Sequence, residues 1–215
     1  MKLYSLPGSR YGTRVLIQIH AKGIPIDVEM VSYPIRPEFA AINPLMMVPV
    51  LDTGETLLPE SSIICDYLEA VSDGPSLVPS DPLERARMQL LIRLFEQQYD
   101  PWMLRLYERM RDPAAPEATV IAMCQDKMRA GLDRIAEHLD AGPYAVGGAL
   151  TLADCALMPP LLQAQVFLPA LGFDDPVSAH EPVKAWFDAT RTVDHVREVL
   201  DRMEAGLRRI YLDRE

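Results

Sequence analysis

The chain has 215 residues, 49% apolar and 24% charged, enough for one large domain or two small ones. That apolar share supports a packed core and excludes a disordered chain. A net charge of −10, with no Lys/Arg run, excludes nucleic-acid binding by bulk attraction.

Lys2 to Ser5 reads as a strand ended by Pro7-Gly8. Arg10 to Lys22 has helical periodicity, with Val15, Leu16 and Ile19 on one face, and stops at Gly23. Ile26 to Val31 is a second strand. Val48 to Asp52 and Thr56 to Leu58 pair around Thr53-Gly54-Glu55, and Ser61 to Val71 is an amphipathic helix. This order, βαβ and then ββα, predicts one mixed sheet flanked by helices. Ser72 to Pro79 is turn-rich and aperiodic, as linkers are.

Beyond it strand patterns vanish. Asp81-Pro82-Leu83-Glu84 is a capping box with proline at the first helical position, opening a long helix to about Met110. Ala118 to Leu139 is another, and shorter helices start at Thr151, near Val183 and at Val193. The predicted organisation is residues 1–73, a linker at 74–80 and an all-helical domain at 81–215. The N-terminus runs directly into strand-like sequence without a leader-like apolar core. The apolar stretch from Cys155 is broken by Pro159, Pro160, Gln163 and Gln165, which suits a buried helix rather than a membrane span.

Several places could carry chemistry. Three cysteines, Cys65, Cys124 and Cys155, lie in apolar helical contexts, read as small buried hydrophobes and fit a reducing cytoplasm. Pro49 cannot donate to a sheet ladder, so it is either an ordinary edge proline or a cis proline exposing the main chain of Val48 for β-augmentation. Ser61 is read as a helix cap whose first-turn N–H groups suit a carboxylate, with Glu60 placed to meet an ammonium. Ser9, before the first helix, either caps it or presents a hydroxyl that lowers a thiol pKa. The four histidines show no metal-ligand spacing, and no metal site is expected.

Asn43-Pro44 before Val48-Pro49-Val50, Glu60-Ser61-Ser62-Ile63-Ile64, and Leu150-Thr151-Leu152-Ala153-Asp154 together resemble the glutathione transferase superfamily along nearly the whole chain. The resemblance implies a thioredoxin-like α+β domain (βαβαββα, a mixed four-stranded sheet) followed by an all-α bundle. It implies glutathione as co-substrate, with Val48 and cis-Pro49 at the cysteinyl backbone, Glu60 and Ser61 at the γ-glutamyl end, and Asp154 as structural. Tyr4, Ser5, Ser9, Arg14 and Val15 are similar to the serine-type classes, zeta among them, which makes Ser9 the catalytic hydroxyl, with Tyr11 and Tyr4 as rivals.

Met46 and Met47 depart from the family, whose polar residue before the valine commonly helps to hold glutathione. Tyr11, Trp102 and Tyr107 are possible acceptor-site residues, with Arg105 and Arg109 available for an anionic substrate. The implied activity is attack of the activated thiol on a small apolar electrophile, as in detoxification. Glutathione-dependent isomerisation of an unsaturated diacid is a variant, against which stands Ser9-Arg10-Tyr11 in place of the zeta Ser-Ser-Cys. The implied form is a cytoplasmic homodimer. The alternative is a non-catalytic binding protein on this fold, as stringent starvation protein A is, although Asp73-Gly74-Pro75 replaces that protein's Pro-His-Pro. In the Thr151-x-x-Asp154 box, loss of Asp154 is expected to impair folding at a cost of about 1 kcal/mol or somewhat more, with glutathione affinity unchanged in protein that survives.

Overall fold

The structure, a computed structural model, describes residues 1–111, 118–170 and 172–212, with side chains described for all of these except 108–111 and 118. It divides into two compact units, Met1–Val78 with Arg191–Glu215, and Pro79–Thr190.

In the first unit, β1 (Lys2–Ser5), β2 (Asp27–Met30), β3 (Val50–Asp52) and β4 (Leu57–Pro59) form one sheet in the order β2-β1-β3-β4. β1 runs parallel to β2 and antiparallel to β3, and β3 is antiparallel to β4. Leu3 and Leu51 pair at the centre and are fully buried. A 3-10 turn at Pro37–Ala41 stands where the second helix of the βαβαββα order was expected.

α1 (Arg10–Lys22) ends as predicted at Gly23, whose φ of 65° suits a residue without a Cβ. It is buried over more than one face: Ile17 and Gln18 are fully enclosed while Leu16 is only half-buried. Gln18 tolerates this because its amide donates to the Cys65 carbonyl (2.9 Å) and to Glu69 (3.3 Å) on α2 (Ser61–Val71). Lys22 and Glu69 form a largely enclosed ion pair at 3.3 Å, and Lys22 Nζ also donates to the Pro75 carbonyl. Glu69 accepts from Ser76 Oγ and Leu77 N–H, so the turn-rich segment after α2 is tied down by hydrogen bonds.

The chain passes from the first unit to the second between Val78 and Pro79, within the segment 74–80, and returns to the first at Arg191. Residues 191–215, grouped above with the helical domain, fall with the first unit because α8 (Asp194–Leu207) packs along α1.

The second unit holds α3 (Pro82–Leu94), α4 (Asp100–Arg111), α5 (Ala118–Ala136), α6 (Leu152–Ala170) and most of α7 (Glu181–Arg191). Asp81 caps α3, accepting from the Leu83 and Glu84 N–H groups at 2.9 Å. The single long helix expected to Met110 is interrupted by a π turn at Phe95–Tyr99. Gly131 of α5 lies against it; a Cβ there would stand 2.8 Å from the Gln98 carbonyl oxygen.

α6 is apolar and buried around nearly its whole circumference, as a core helix is. Among the described residues no helix is long and apolar enough to cross a membrane. Asp154, fully buried in its first turn, accepts from the Thr151 N–H and hydroxyl (2.8 Å each), the Ala145 N–H (2.7 Å) and the Trp186 indole N–H (3.0 Å). The Thr151 hydroxyl therefore donates to the carboxylate. Burial pushes the Asp154 carboxyl above its ordinary range, against the hydrogen bonds from Thr151 and Ala145.

Candidate active site

Sheet register assembles the candidate residues. Tyr4, near the end of β1, faces Val50 at the start of β3, and Val50 faces Pro59 at the end of β4. The segments leaving those three positions, toward Ser9, Val48-Pro49 and Glu60-Ser61, therefore leave the sheet at one end.

Ser9 is the N-cap of α1. Its φ of −71° and ψ of 113° are extended, and its Oγ accepts from the Gly12 N–H at 3.1 Å. A hydroxyl has one donor and two lone pairs, so capping occupies one lone pair and leaves the proton uncommitted. Gly12 leaves room for both hydroxyls, since a Cβ would fall 2.1 Å from Ser5 Oγ and 3.3 Å from Ser9 Oγ and would displace the Ser5 side chain. Ser5 is fully buried, and its hydroxyl has no partner among the described residues.

The rival hydroxyls are engaged differently. The Tyr11 hydroxyl accepts from the buried Arg10 guanidinium at 2.8 Å, and that cation sits 4.6 Å from the centroid of the Tyr11 ring, which is 40% exposed. Tyr4 lies on β1 with its ring edge-on to Phe39.

The Val48–Pro49 peptide is cis, with Pro49 buried and Val48 half-buried. Among the described residues neither the N–H nor the carbonyl of Val48 has a hydrogen-bond partner. The loop before it is held by buried Asn43, which donates from Nδ2 to the Met47 carbonyl (2.9 Å) and accepts from the Leu45 N–H (3.1 Å). Met46 adopts a φ of 55°, and Met47 is 60% exposed.

Ser61 is the first residue of α2 and is not its cap; Glu60 stands at the cap position and makes no side-chain cap bond. Glu60 has φ 74° and ψ 113°, a conformation that costs a side-chain-bearing residue about 1–3 kcal/mol and persists only where its surroundings impose it. With Glu60 exposed and Ser61 mostly buried, the first-turn N–H groups of α2 and its positive end adjoin a carboxylate side chain.

In the second unit, Trp102 is half-buried with the Arg105 guanidinium 6.0 Å from its ring centroid. Tyr107 stacks on Phe167 with centroids 5.6 Å apart. The side chain of Arg109 lies outside the described residues. Cys65, Cys124 and Cys155 are buried free thiols, and burial pushes Cys65 up to about 12. Among the described residues no three His, Cys, Asp or Glu side chains cluster as metal ligands do.

Two features had no local signal in the sequence. A groove of about 690 Å³ beside Pro7 is lined by Met30, Tyr33, Pro34, Arg209 and Ile210, from segments far apart in the chain. The Pro7-Gly8 main chain also lies directly against Gly206-Leu207 of α8.

Residues 3–76 match the family model for the glutathione S-transferase N-terminal domain, and residues 106–189 match that for the C-terminal domain. A maleylpyruvate isomerase of a Ralstonia species is 33% identical over 177 residues, 78% of this chain and 84% of that protein. Glutathione S-transferase 3 of Zea mays is 30% identical over 202 residues, 88% of each chain. Among solved structures, holo maleylpyruvate isomerase, a bacterial zeta-class glutathione S-transferase, superposes with a TM-score of 0.76 at 30% identity, covering 93% of this chain and 96% of its own. Maleylacetoacetate isomerase of Methylobacterium extorquens AM1, solved with malonate and glutathione bound, gives 0.74 at 26% identity and 97% coverage of each. These relatives are transferases and isomerases, which does not favour a non-catalytic binding protein. With both domains matched in order, this chain belongs to the glutathione S-transferase family and is an enzyme whose co-substrate is glutathione.

Proposed function

We propose that Ser9 activates the thiol of bound glutathione for attack on a small apolar electrophile. The observation that carries this reading is the Ser9 Oγ at the N-cap of α1, which accepts from the Gly12 N–H and, among the described residues, donates to no partner. A donated hydrogen bond and a helix N-terminus both favour a thiolate over a thiol. The sulfur then bonds to the electrophilic carbon, and the leaving group departs with its electron pair.

The rest of glutathione is assigned by chemistry. The unpartnered main chain of Val48 beside Pro49 can pair with the cysteinyl backbone as a short β-augmentation. Glu60 meets the γ-glutamyl ammonium, while Ser61 and the first-turn N–H groups of α2 meet its carboxylate. Met47 offers no polar side chain for this purpose. Tyr11 in the first unit, and Trp102 and Tyr107 in the second, are the aromatic groups proposed for acceptor contacts. A homodimer and a role in detoxification are proposed from the family alone, and the buried cysteines suit a reducing cytoplasm.

A second reading is favoured by the identity to maleylpyruvate isomerase. The same thiolate adds to one carbon of a conjugated cis double bond in an unsaturated diacid. Rotation follows about the resulting single bond, and expulsion of the sulfur restores the double bond and glutathione. Transfer consumes one glutathione per turnover and isomerisation consumes none, so glutathione stoichiometry separates the two. Retention on glutathione-agarose, then turnover of a chlorinated aromatic and of a cis-unsaturated diacid by wild type and Ser9→Ala, tests the whole reading. No retention, or a Ser9→Ala enzyme with wild-type turnover on both substrates, would sink it.

A further inference from the structure

We infer that Gly206, in the last turn of α8, is a positioning residue for Ser9: it seats the Pro7-Gly8 turn and so sets where the Ser9 hydroxyl points. The inference rests on the role proposed for Ser9. Leu6 to Ser9 form a turn closed by a hydrogen bond from the Ser9 N–H to the Leu6 carbonyl at 2.9 Å. Pro7 in its second position and Gly8 in its third, with φ 83°, follow the type II pattern. The apex of this turn meets α8 main chain to main chain. A Cβ on Gly8 would stand 2.9 Å from the Leu207 nitrogen, and a Cβ on Gly206 would stand 2.6 Å from the Gly8 nitrogen and 2.7 Å from the Pro7 carbonyl carbon. Both obstacles are backbone, so neither can swing aside as a long side chain does.

The two glycines have different reasons to be glycine. Gly8 needs its positive φ, whatever surrounds it. Gly206 is helical, and a helix interior is less stable with glycine than with alanine. Its conformation does not require it; the approach of the turn does. α8 makes a firm seat, because Val196, Val199, Leu200, Met203 and Leu207 are all buried. Ser9 is then held from two sides, by the turn that precedes it and by the Gly12 N–H that its Oγ caps. Hydrogen bonds weaken steeply with angle, so a displaced turn impairs donation to sulfur before it abolishes binding.

The test is an ultraviolet titration of the bound glutathione thiol, alongside glutathione affinity and thermal melting, in wild type, Ser9→Ala, Gly206→Ala and Val199→Ala. Val199→Ala opens the core of the same helix two turns before Gly206. Gly206→Ala should raise the bound-thiol pKa toward the Ser9→Ala value, lowering the thiolate fraction at neutral pH by up to about tenfold per unit. Glutathione affinity should be retained, and Val199→Ala should titrate as wild type at a comparable loss of melting temperature. If Gly206→Ala does not fold, Pro7→Ala, which slackens the turn where it meets Gly206 and leaves the core of α8 intact, carries the same comparison. A raised pKa in Ser9→Ala with wild-type titration in Gly206→Ala or its substitute overturns the inference and leaves Ser9 standing. An equal rise in Val199→Ala overturns it too, since the effect is then general loosening. An unchanged pKa in Ser9→Ala overturns the reading of Ser9 and the inference with it.

Discussion

Two helix N-termini of this chain both read in sequence as hydroxyl caps and end in different roles. At α6, Asp154 is fully buried and accepts four hydrogen bonds, from Thr151 twice, Ala145 and Trp186. At α1, Ser9 is half-buried and accepts one, from Gly12. The first terminus has committed its hydrogen-bonding capacity to the fold. The second keeps a donor available beside a positive helix end. A cap signature in sequence does not separate these cases; what differs is how many partners the fold brings to the polar side chain at the terminus.

The comparison can be broken first at Asp154. Asp154→Ala leaves buried donors on Trp186, Ala145 and Thr151, at about 1–3 kcal/mol for each left unpaired, so several kcal/mol of stability should disappear in denaturant unfolding. That exceeds the value of a cap alone. Protein that still folds should bind glutathione as wild type does. Ser9→Ala should behave in the opposite way: turnover should fall by about 100-fold, as when one transition-state donor is removed, for a stability loss of about 1 kcal/mol. Steady-state rates and melting curves on the same preparations check both.

Ser9→Gly sharpens the contrast. Glycine is a tolerable N-cap, a few tenths of a kcal/mol below serine, yet has no hydroxyl, so activity should fall as in Ser9→Ala while the melting temperature hardly moves. The smallest effect concerns α1 and α8, which frame the Ser9 turn. Burial holds His20 and His195 below the ordinary imidazole value, and Arg202 on α8 lowers His20 further, against Glu198. The folded state therefore binds fewer protons than the unfolded state just below pH 6.5. Stability should be unaffected above that pH and should decline modestly as pH falls through and below it. The decline should be reduced in His195→Gln; an unchanged acid limb would assign the effect to other groups.

Much of the first unit could be read from sequence because its signals are local. The strand alternation, the Gly23 stop and the Pro7-Gly8 turn each depend on a few adjacent residues. Ser9 and Pro49 were visible for the same reason. Glu60 at φ 74° left no mark, because nothing in a glutamate announces an imposed positive φ, and this moved the cap one residue back from Ser61. The π turn at Phe95–Tyr99 slips a helix by a fraction of a turn, too little to disturb its periodicity. The indole of Trp186 on Asp154 and the contact of Gly206 with Gly8 join residues distant in the chain, and no local pattern encodes either.

The most direct measurement is titration of the glutathione thiol bound to wild type and to Ser9→Gly. The thiol should titrate well below its value in free glutathione on wild type and return toward that value on the variant, with binding retained. Identical titration in the two proteins would contradict the role given to the Ser9 hydroxyl.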